Sequence, residues 1–308
     1  MKPFKIFVAE DQKTNAYKGV FNQPITNFED LRQYSDQISA YYNGKNSIFR
    51  GMKDIGQVKV ADGNKINRRS AYAQNNLYTI LMSEILPSWK EYPKRTNSFI
   101  CSSRVLYARF YGETQYHIIP LENQKIVACS SDDIWQSFPN IGREIPPLSN
   151  HSHLLNSFNG FVPSLANGLS SVTNNVVKDN PISTRSNIVV MLNSMIRNIR
   201  KLVNSNREDL DDAIVEISKN WYGDKTLDDW LENDFFPAFK ENPKLTMVDY
   251  LDDIMNPVNN YFQLLTPNQY YNESLSQDNL GVEVWLSGLV LCVRIDVYAK
   301  LIRGLGVQ

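Results

Sequence analysis

The sequence predicts an α+β fold, a strand-rich core interrupted by a largely helical insertion. Three observations carry this reading. Short apolar runs of strand length occur in the first half, as in SIFRG (47–51) and SFICSS (98–103), and again near the end, in VWLSGLVLCVRIDV (284–297). Between them lies a segment of roughly 100 residues whose apolar positions recur at helical spacing. A stretch rich in Pro, Ser, Asn and Gly, from about 140 to 180, separates the first strands from that helical block. A core that closes with late strands makes the helical block an insertion. The organisation expected is therefore 1–140 as the N-terminal part of the core, 141–275 as linker and helical subdomain, and 276–308 as strands completing the core.

Taken in order, NFEDLRQYSDQISAYYN (27–43) begins a helix, with Asn27 as N-cap and Glu29 and Asp30 in the first turn. SIFRG follows as a strand. The segment 68–90 places Leu77, Ile80, Leu81, Ile85 and Trp89 near one face of an amphipathic helix that Pro87 ends or kinks. SFICSS is a strand leading into a helix, RVLYARFYG, with Gly112 as its stop. QYHIIPL (115–121) and QKIVAC (124–129) are strands, and Ser130 and Ser131 offer an N-cap to DDIWQSF. Further on, Ile188 to Val203 and Leu210 to Trp221 form two helical stripes. Thr226 and Thr246 each precede an Asp by three residues and cap two more helices. Two strands, EVWLSG and LVLCVRIDV, joined tightly around Ser287 and Gly288, end the pattern.

Composition narrows the function classes. The chain has 308 residues, 42% hydrophobic and 21% charged, which is ordinary for a globular protein of one large domain or two smaller ones. Thirty-two basic against 33 acidic side chains leave a net charge of -1. An overall basic nucleic-acid footprint is therefore absent, although a local patch is compatible with that total. No run of 18 apolar residues exists, so no membrane partner is expected. The first residues, MKPFKIFVAEDQK, hold too short an apolar run for a signal peptide. Cys101, Cys129 and Cys292 are odd in number and widely spaced, which fits a reducing cytoplasm. HSH (151–153) lacks partner ligands at metal-binding spacing and reads as solvated loop, so no metal is expected. Neither GxGxxG nor GxxxxGK[ST] nor GxSxG occurs, which removes the motif basis for dinucleotide-binding Rossmann, P-loop and α/β-hydrolase readings.

Three motifs remain. Arg50 and Gly51 follow the apolar pair Ile48-Phe49. Ser102 and Ser103 end a strand and lead into a segment with Tyr107, Tyr111, Gly112 and Tyr116. Glu283 stands alone as an acid in the apolar run GVEVW. This order resembles the ADP-ribosyltransferase fold of the arginine–serine–glutamate type. It is most similar to divergent bacteriophage-encoded members, in which Arg-Gly, a Phe-x-x-Ser strand, an Ala-x-x-Tyr-Gly helix and Glu-Val-Trp recur. The likeness covers residues 45–135 and 281–296 and leaves out the helical block.

The resemblance implies a split β-sheet core that binds NAD as substrate, with no metal. Arg50, beside Gly51, takes the position that grips the pyrophosphate or ribose, where a guanidinium fork binds phosphate bidentately. Ser102 and Ser103 hold the nicotinamide ribose and orient the acid. Glu283 is the catalytic glutamate, hydrogen-bonded to the ribose 2′-hydroxyl and stabilising the oxocarbenium-like state. One of Tyr107, Tyr111 and Tyr116 stacks on nicotinamide. The implied activity is mono-ADP-ribosyl transfer to a macromolecular acceptor, a host protein or nucleic acid, in the host cytoplasm if phage-encoded. Two positions depart from the pattern: Cys101 stands where the first serine of the serine strand is expected, and Gly281 where arginine-modifying members carry a second acid. Asp278 and Glu273 are substitutes for that acid.

Structural roles stand beside these. Arg50 can pair with a structural carboxylate, the two serines can cap the following helix, the tyrosines can be core, and Glu283 can face solvent from an edge strand. NAD glycohydrolysis on the same fold, or a catalytically inactive phage interaction or host-inhibitory protein, are the alternative functions.

Overall fold

Among the described residues, nine strands, all paired antiparallel, build one sheet. They are β1 (Phe21–Pro24), β2 (Phe49–Met52), β3 (Val58–Asp62), β4 (Phe99–Ser102), β5 (Thr114–Pro120), β6 (Ile126–Ala128), β7 (Gln263–Leu265), β8 (Glu283–Leu286) and β9 (Leu289–Arg294). Their spatial order is β1-β3-β9-β5-β2-β4-β8-β6-β7. The computed structural model describes residues 19–25, 27–66, 81–109, 111–132, 134–138, most of 189–219, 229, 231–275 and 281–307. Trp221, Thr226, Asp278, the HSH stretch, the Pro/Ser/Asn/Gly-rich segment and the first part of the 68–90 helix lie outside the described residues.

The order of strands dictates how the sheet bends. β8 and β9 are joined only by Ser287 and Gly288, yet β4, β2 and β5 stand between them. Three Cα steps span at most about 11 Å. Four flat strand spacings need about 19 Å. The sheet therefore folds over on itself, bringing the adjoining ends of β8 and β9 together at a corner. Gly288 turns that corner at φ +89. Gly63 donates its N–H to the Gly288 carbonyl at 2.8 Å, and a Cβ on Gly63 would come within 3.1 Å of the Ser287 Cα. Both late strands are internal to the sheet, as their apolar composition predicts.

Of the neighbouring strands in the sheet, β2 and β4 share the fewest register pairs. β2 shares four register pairs with β5, and β4 shares four with β8, but β2 and β4 share only Phe49↔Ser102. At this junction the Arg50 guanidinium donates through Nη1 to the Ile100 carbonyl. A side chain thus takes a backbone acceptor at the place where the ladder is shortest.

Among the described residues, four helices belong to this unit: α1 (Ser35–Asn43), the single turn α2 (Val105–Ala108), α3 (Pro267–Asn272) and α4 (Ile295–Leu305). A 3-10 turn, Phe28–Tyr34, precedes α1, and the Asn27 side chain caps it by accepting from Glu29 N–H. Two expectations change here. The strand read through LVLCVRIDV stops at Arg294, whose side chain holds the Asp296 carboxylate at 2.7 and 2.9 Å. From there Val297, Leu301 and Ile302 bury one face of a helix that Gly306 ends at φ +66. The helix read through Gly112 stops at Ala108, because Gly112 lies against the backbone of Met52 instead of capping a helix.

By contacts the chain forms two units, 1–72 with 90–137 and 261–308, and 73–89 with 138–260. The segment ending at Trp89 thus groups with the helical unit rather than the sheet. Its reasons are local. Ser88 donates its N–H and its hydroxyl to the Asp252 carboxylate, the latter at 2.6 Å, and Trp89 Nε1 donates to the Met255 carbonyl at 2.8 Å. Residues 261–275 group with the sheet, since β7 pairs with β6 and Tyr270 and Tyr271 of α3 are buried in the sheet's core. Within the helical unit, Phe235, Phe236, Phe239 and Tyr250 form an aromatic cluster, and Thr246 with Asp249 makes the expected capping box. Among the described residues, no helix is long and apolar enough to cross a membrane.

Candidate functional site

The arginine, serine and glutamate strands are immediate neighbours at the middle of the sheet, in the order β2-β4-β8. Ser102 pairs directly with Glu283, and Phe49 pairs with Ser102 on its other side. Directly opposed residues of an antiparallel pair project from the same face. Ser102 and Glu283 therefore share a face. Cys101 pairs with Val284, so its thiol projects from the opposite face. The departure at Cys101 consequently does not sit beside the acid; Ser102 does.

Glu283 is 4% exposed and is not an edge-strand residue, since β4 and β6 flank it. A buried carboxylate needs a counter-charge. Arg95, 5% exposed, supplies it: Nη2 and Nε donate to Oε1 at 2.9 and 3.2 Å. Both bonds fall on one oxygen, and among the described residues Oε2 makes no hydrogen bond. Arg95 went unread in the sequence. A lone acid in an apolar strand signals that some cation must meet it, but nothing in KRTNSF marks which one.

The serine hydroxyls are engaged locally. Ser102 Oγ accepts from Arg104 N–H at 3.1 Å, and Ser103 Oγ accepts from Val282 N–H at 2.8 Å. Ser103 thereby ties the end of β4 to the residue before Glu283. Ser103 N–H also donates to the Val282 carbonyl at 3.0 Å.

Arg50 is fully buried. Besides its bond to Ile100, its guanidinium lies 5.3 Å from the centroid of the Tyr111 ring, a cation–π geometry. Gly51 explains the Arg-Gly pairing. A Cβ there would lie 2.1 Å from the Ala108 carbonyl oxygen and 2.6 Å from Gly112 N, and a Cβ on Gly112 would lie 2.5 Å from Met52 N. The two glycines let β2 and the turn after α2 touch backbone to backbone, which sets Tyr111 over Arg50.

The three tyrosines differ. Tyr111 is the buried cover of Arg50. Tyr116 is fully buried, with its hydroxyl bound to Asp54, the Gly56 carbonyl and Ile55 N–H at 3.0–3.1 Å. Burial pushes its pKa up to about 12. Tyr107 is half-buried and lies against Gly281, where a Cβ would approach its ring to 2.9 Å and the Arg104 side chain to 3.0 Å. A longer acid at 281 has to displace both. Glu273, the described substitute, follows α3 as its exposed C-cap residue.

No family model, curated protein or solved structure matches the chain.

Proposed function

We propose that the chain is an NAD-dependent mono-ADP-ribosyltransferase. The observation that carries this reading is the adjacency of β2, β4 and β8, which brings together strands from three distant parts of the sequence and sets Ser102 and Glu283 on one face. In the reaction, the bond between the ribose C1′ and the pyridinium nitrogen breaks. The electron pair leaves with neutral nicotinamide, and positive charge spreads over C1′ and the ring oxygen. Glu283 supports that charge, with Oε2 accepting from the ribose 2′-hydroxyl while Oε1 stays on Arg95. Ser102, opposite the acid, offers its hydroxyl hydrogen to the same ribose. The acceptor's nucleophilic atom then bonds to C1′ and loses its proton.

Arg50 is read as the pyrophosphate grip; its place one residue after Phe49 on β2 turns its side chain to the face opposite Ser102 and Glu283. Of the three tyrosines, Tyr107 is the one with ring surface to stack on nicotinamide. Gly281 favours a second reading on the same fold, NAD glycohydrolysis, because the position that would carry an acceptor-activating acid is filled by Tyr107 and Arg104 instead.

The test is nicotinamide release from NAD by the purified chain, with and without cell extract as acceptor source, beside Glu283→Gln. Release that depends on Glu283 supports the reading, and label carried from NAD into macromolecules selects transfer over hydrolysis. No release by the wild-type chain under either condition overturns it in favour of an interaction protein.

A further inference from the structure

We infer that Arg95 is the positioning residue for Glu283, fixing the carboxylate on one oxygen so that the other faces the ribose. The inference rests on the transferase reading and deepens it.

Two bonds from one guanidinium to one oxygen define both the place and the rotation of the carboxyl group. In the family that the chain resembles, hydroxyls of the serine strand have that duty. Here they are engaged elsewhere: Ser102 Oγ accepts from Arg104 N–H and Ser103 Oγ from Val282 N–H. Cys101 is on the far face. The orienting task therefore falls to Arg95.

The segment bearing Arg95 is built as a rigid bracket. Asn97 N–H and the Ser98 hydroxyl both donate to the Lys94 carbonyl, at 2.9 and 2.8 Å, closing the 3-10 turn Arg95–Asn97. Asn97 Nδ2 reaches out to the Ile66 carbonyl at 3.0 Å. Trp285 Nε1 donates to the Pro93 carbonyl at 2.9 Å. Trp285 is two residues from Glu283 on β8, hence on the same face. One face of one strand thus presents the acid and also anchors the bracket that aims it. Preorganisation of this kind holds the reacting group within a fraction of an ångström of its productive place.

Steady-state nicotinamide release is measured for the full chain, Arg95→Gln, Arg95→Lys, Glu283→Gln and the double variant Arg95→Gln/Glu283→Gln. Arg95→Gln should lower kcat by about 10- to 100-fold with KM for NAD changed less than about threefold, the pattern of a lost orienting group. Arg95→Lys should recover at least about a third of the loss on a logarithmic scale, since it keeps the charge but not the fork. In the Glu283→Gln background, removing Arg95 should change kcat by less than about twofold, because the two residues act as one unit. Thermal melts identify any variant that is unfolded. If Arg95→Gln is unfolded, Arg95→Lys compared in both backgrounds decides the matter, as does the double variant, which buries neither charge. Equal losses from Arg95 substitution with and without Glu283, or a raised KM at unchanged kcat, overturn the inference. A wild-type chain that releases no nicotinamide overturns the transferase reading and this inference with it. An active wild type indifferent to Arg95 overturns this inference alone.

Discussion

Ser102 and Glu283 are direct cross-strand partners on β4 and β8, facing the same side of the sheet. Only the acid carries a full charge, so the two should contribute unequally to chemistry. Glu283→Gln keeps the shape and leaves an amide oxygen for Arg95. It should slow nicotinamide release by about 100- to 1,000-fold, the cost of one preorganised transition-state contact worth about 3–4 kcal/mol. NAD binding, measured by calorimetry, should change little. Ser102→Ala should cost about tenfold, and the double variant should lose less than the product of the singles, since opposed residues couple. Wild-type turnover in folded Glu283→Gln removes the acid from the chemistry.

Arg50 has a double assignment, and one substitution separates its parts. As a bolt between β2 and β4 it donates to Ile100 beneath Tyr111. As a phosphate grip it binds the pyrophosphate. Arg50→Lys keeps the charge and loses the planar fork. Binding of NAD should weaken by about tenfold while kcat changes less than about threefold, because a phosphate contact persists from ground state to transition state. A purely structural Arg50 would instead lower the melting temperature at unchanged KM.

Gly51 and Gly112 bring two backbone segments into direct contact beside Arg50. The atoms in the way of a new Cβ are all backbone atoms, at 2.1–2.7 Å, which cannot rotate aside. Gly51→Ala or Gly112→Ala should therefore destabilise the chain by about 1–3 kcal/mol or more in urea unfolding. Each should also weaken NAD binding, because the clash displaces β2 at Gly51, the residue next to Arg50. Gly306→Ala is the control: its surroundings are open, and only its backbone conformation at φ +66 resists the change.

Legibility in the sequence followed the range of the interaction. The late strands were readable because two-sided burial writes a continuous apolar run, and Asn27 and Thr246 because caps are local chemistry. The helix Ile295–Leu305 was hidden by the strand that runs into it: Val293 and Val297 are both buried, one at strand period and one at helical period. Glu283 was conspicuous as a lone acid, whereas Arg95 is fixed to it by tertiary structure alone. Gly51 and Gly112 were visible as motif glycines, but their mutual contact is a property of how β2 meets the turn after α2. The grouping of 81–89 with the helical unit rests on Asp252 and Met255, which no local pattern announces.

His117 provides a test of the core independent of catalysis. It pairs with Phe49 on β2 and Val293 on β9, so it lies across the middle of the sheet. Its ring stacks on Tyr298 at 3.9 Å, and its Nδ1 is 3.1 Å from the Tyr41 hydroxyl. Burial lowers its pKa from the ordinary 6.5 to about 4. The unfolded chain therefore takes up a proton near pH 6.5 that the folded chain refuses until about pH 4. Stability linked to His117 is complete above pH 6.5, falls as the pH drops through that interval, and levels off below it. Between pH 7.5 and 4.5 the wild type should lose about 2–3 kcal/mol through this group. His117→Phe keeps the ring contacts and removes the titration, so its unfolding free energy should fall by that much less over the same range. Parallel pH profiles for the two proteins in urea unfolding would place the lost stability on other groups and show that His117 charges without disturbing the fold.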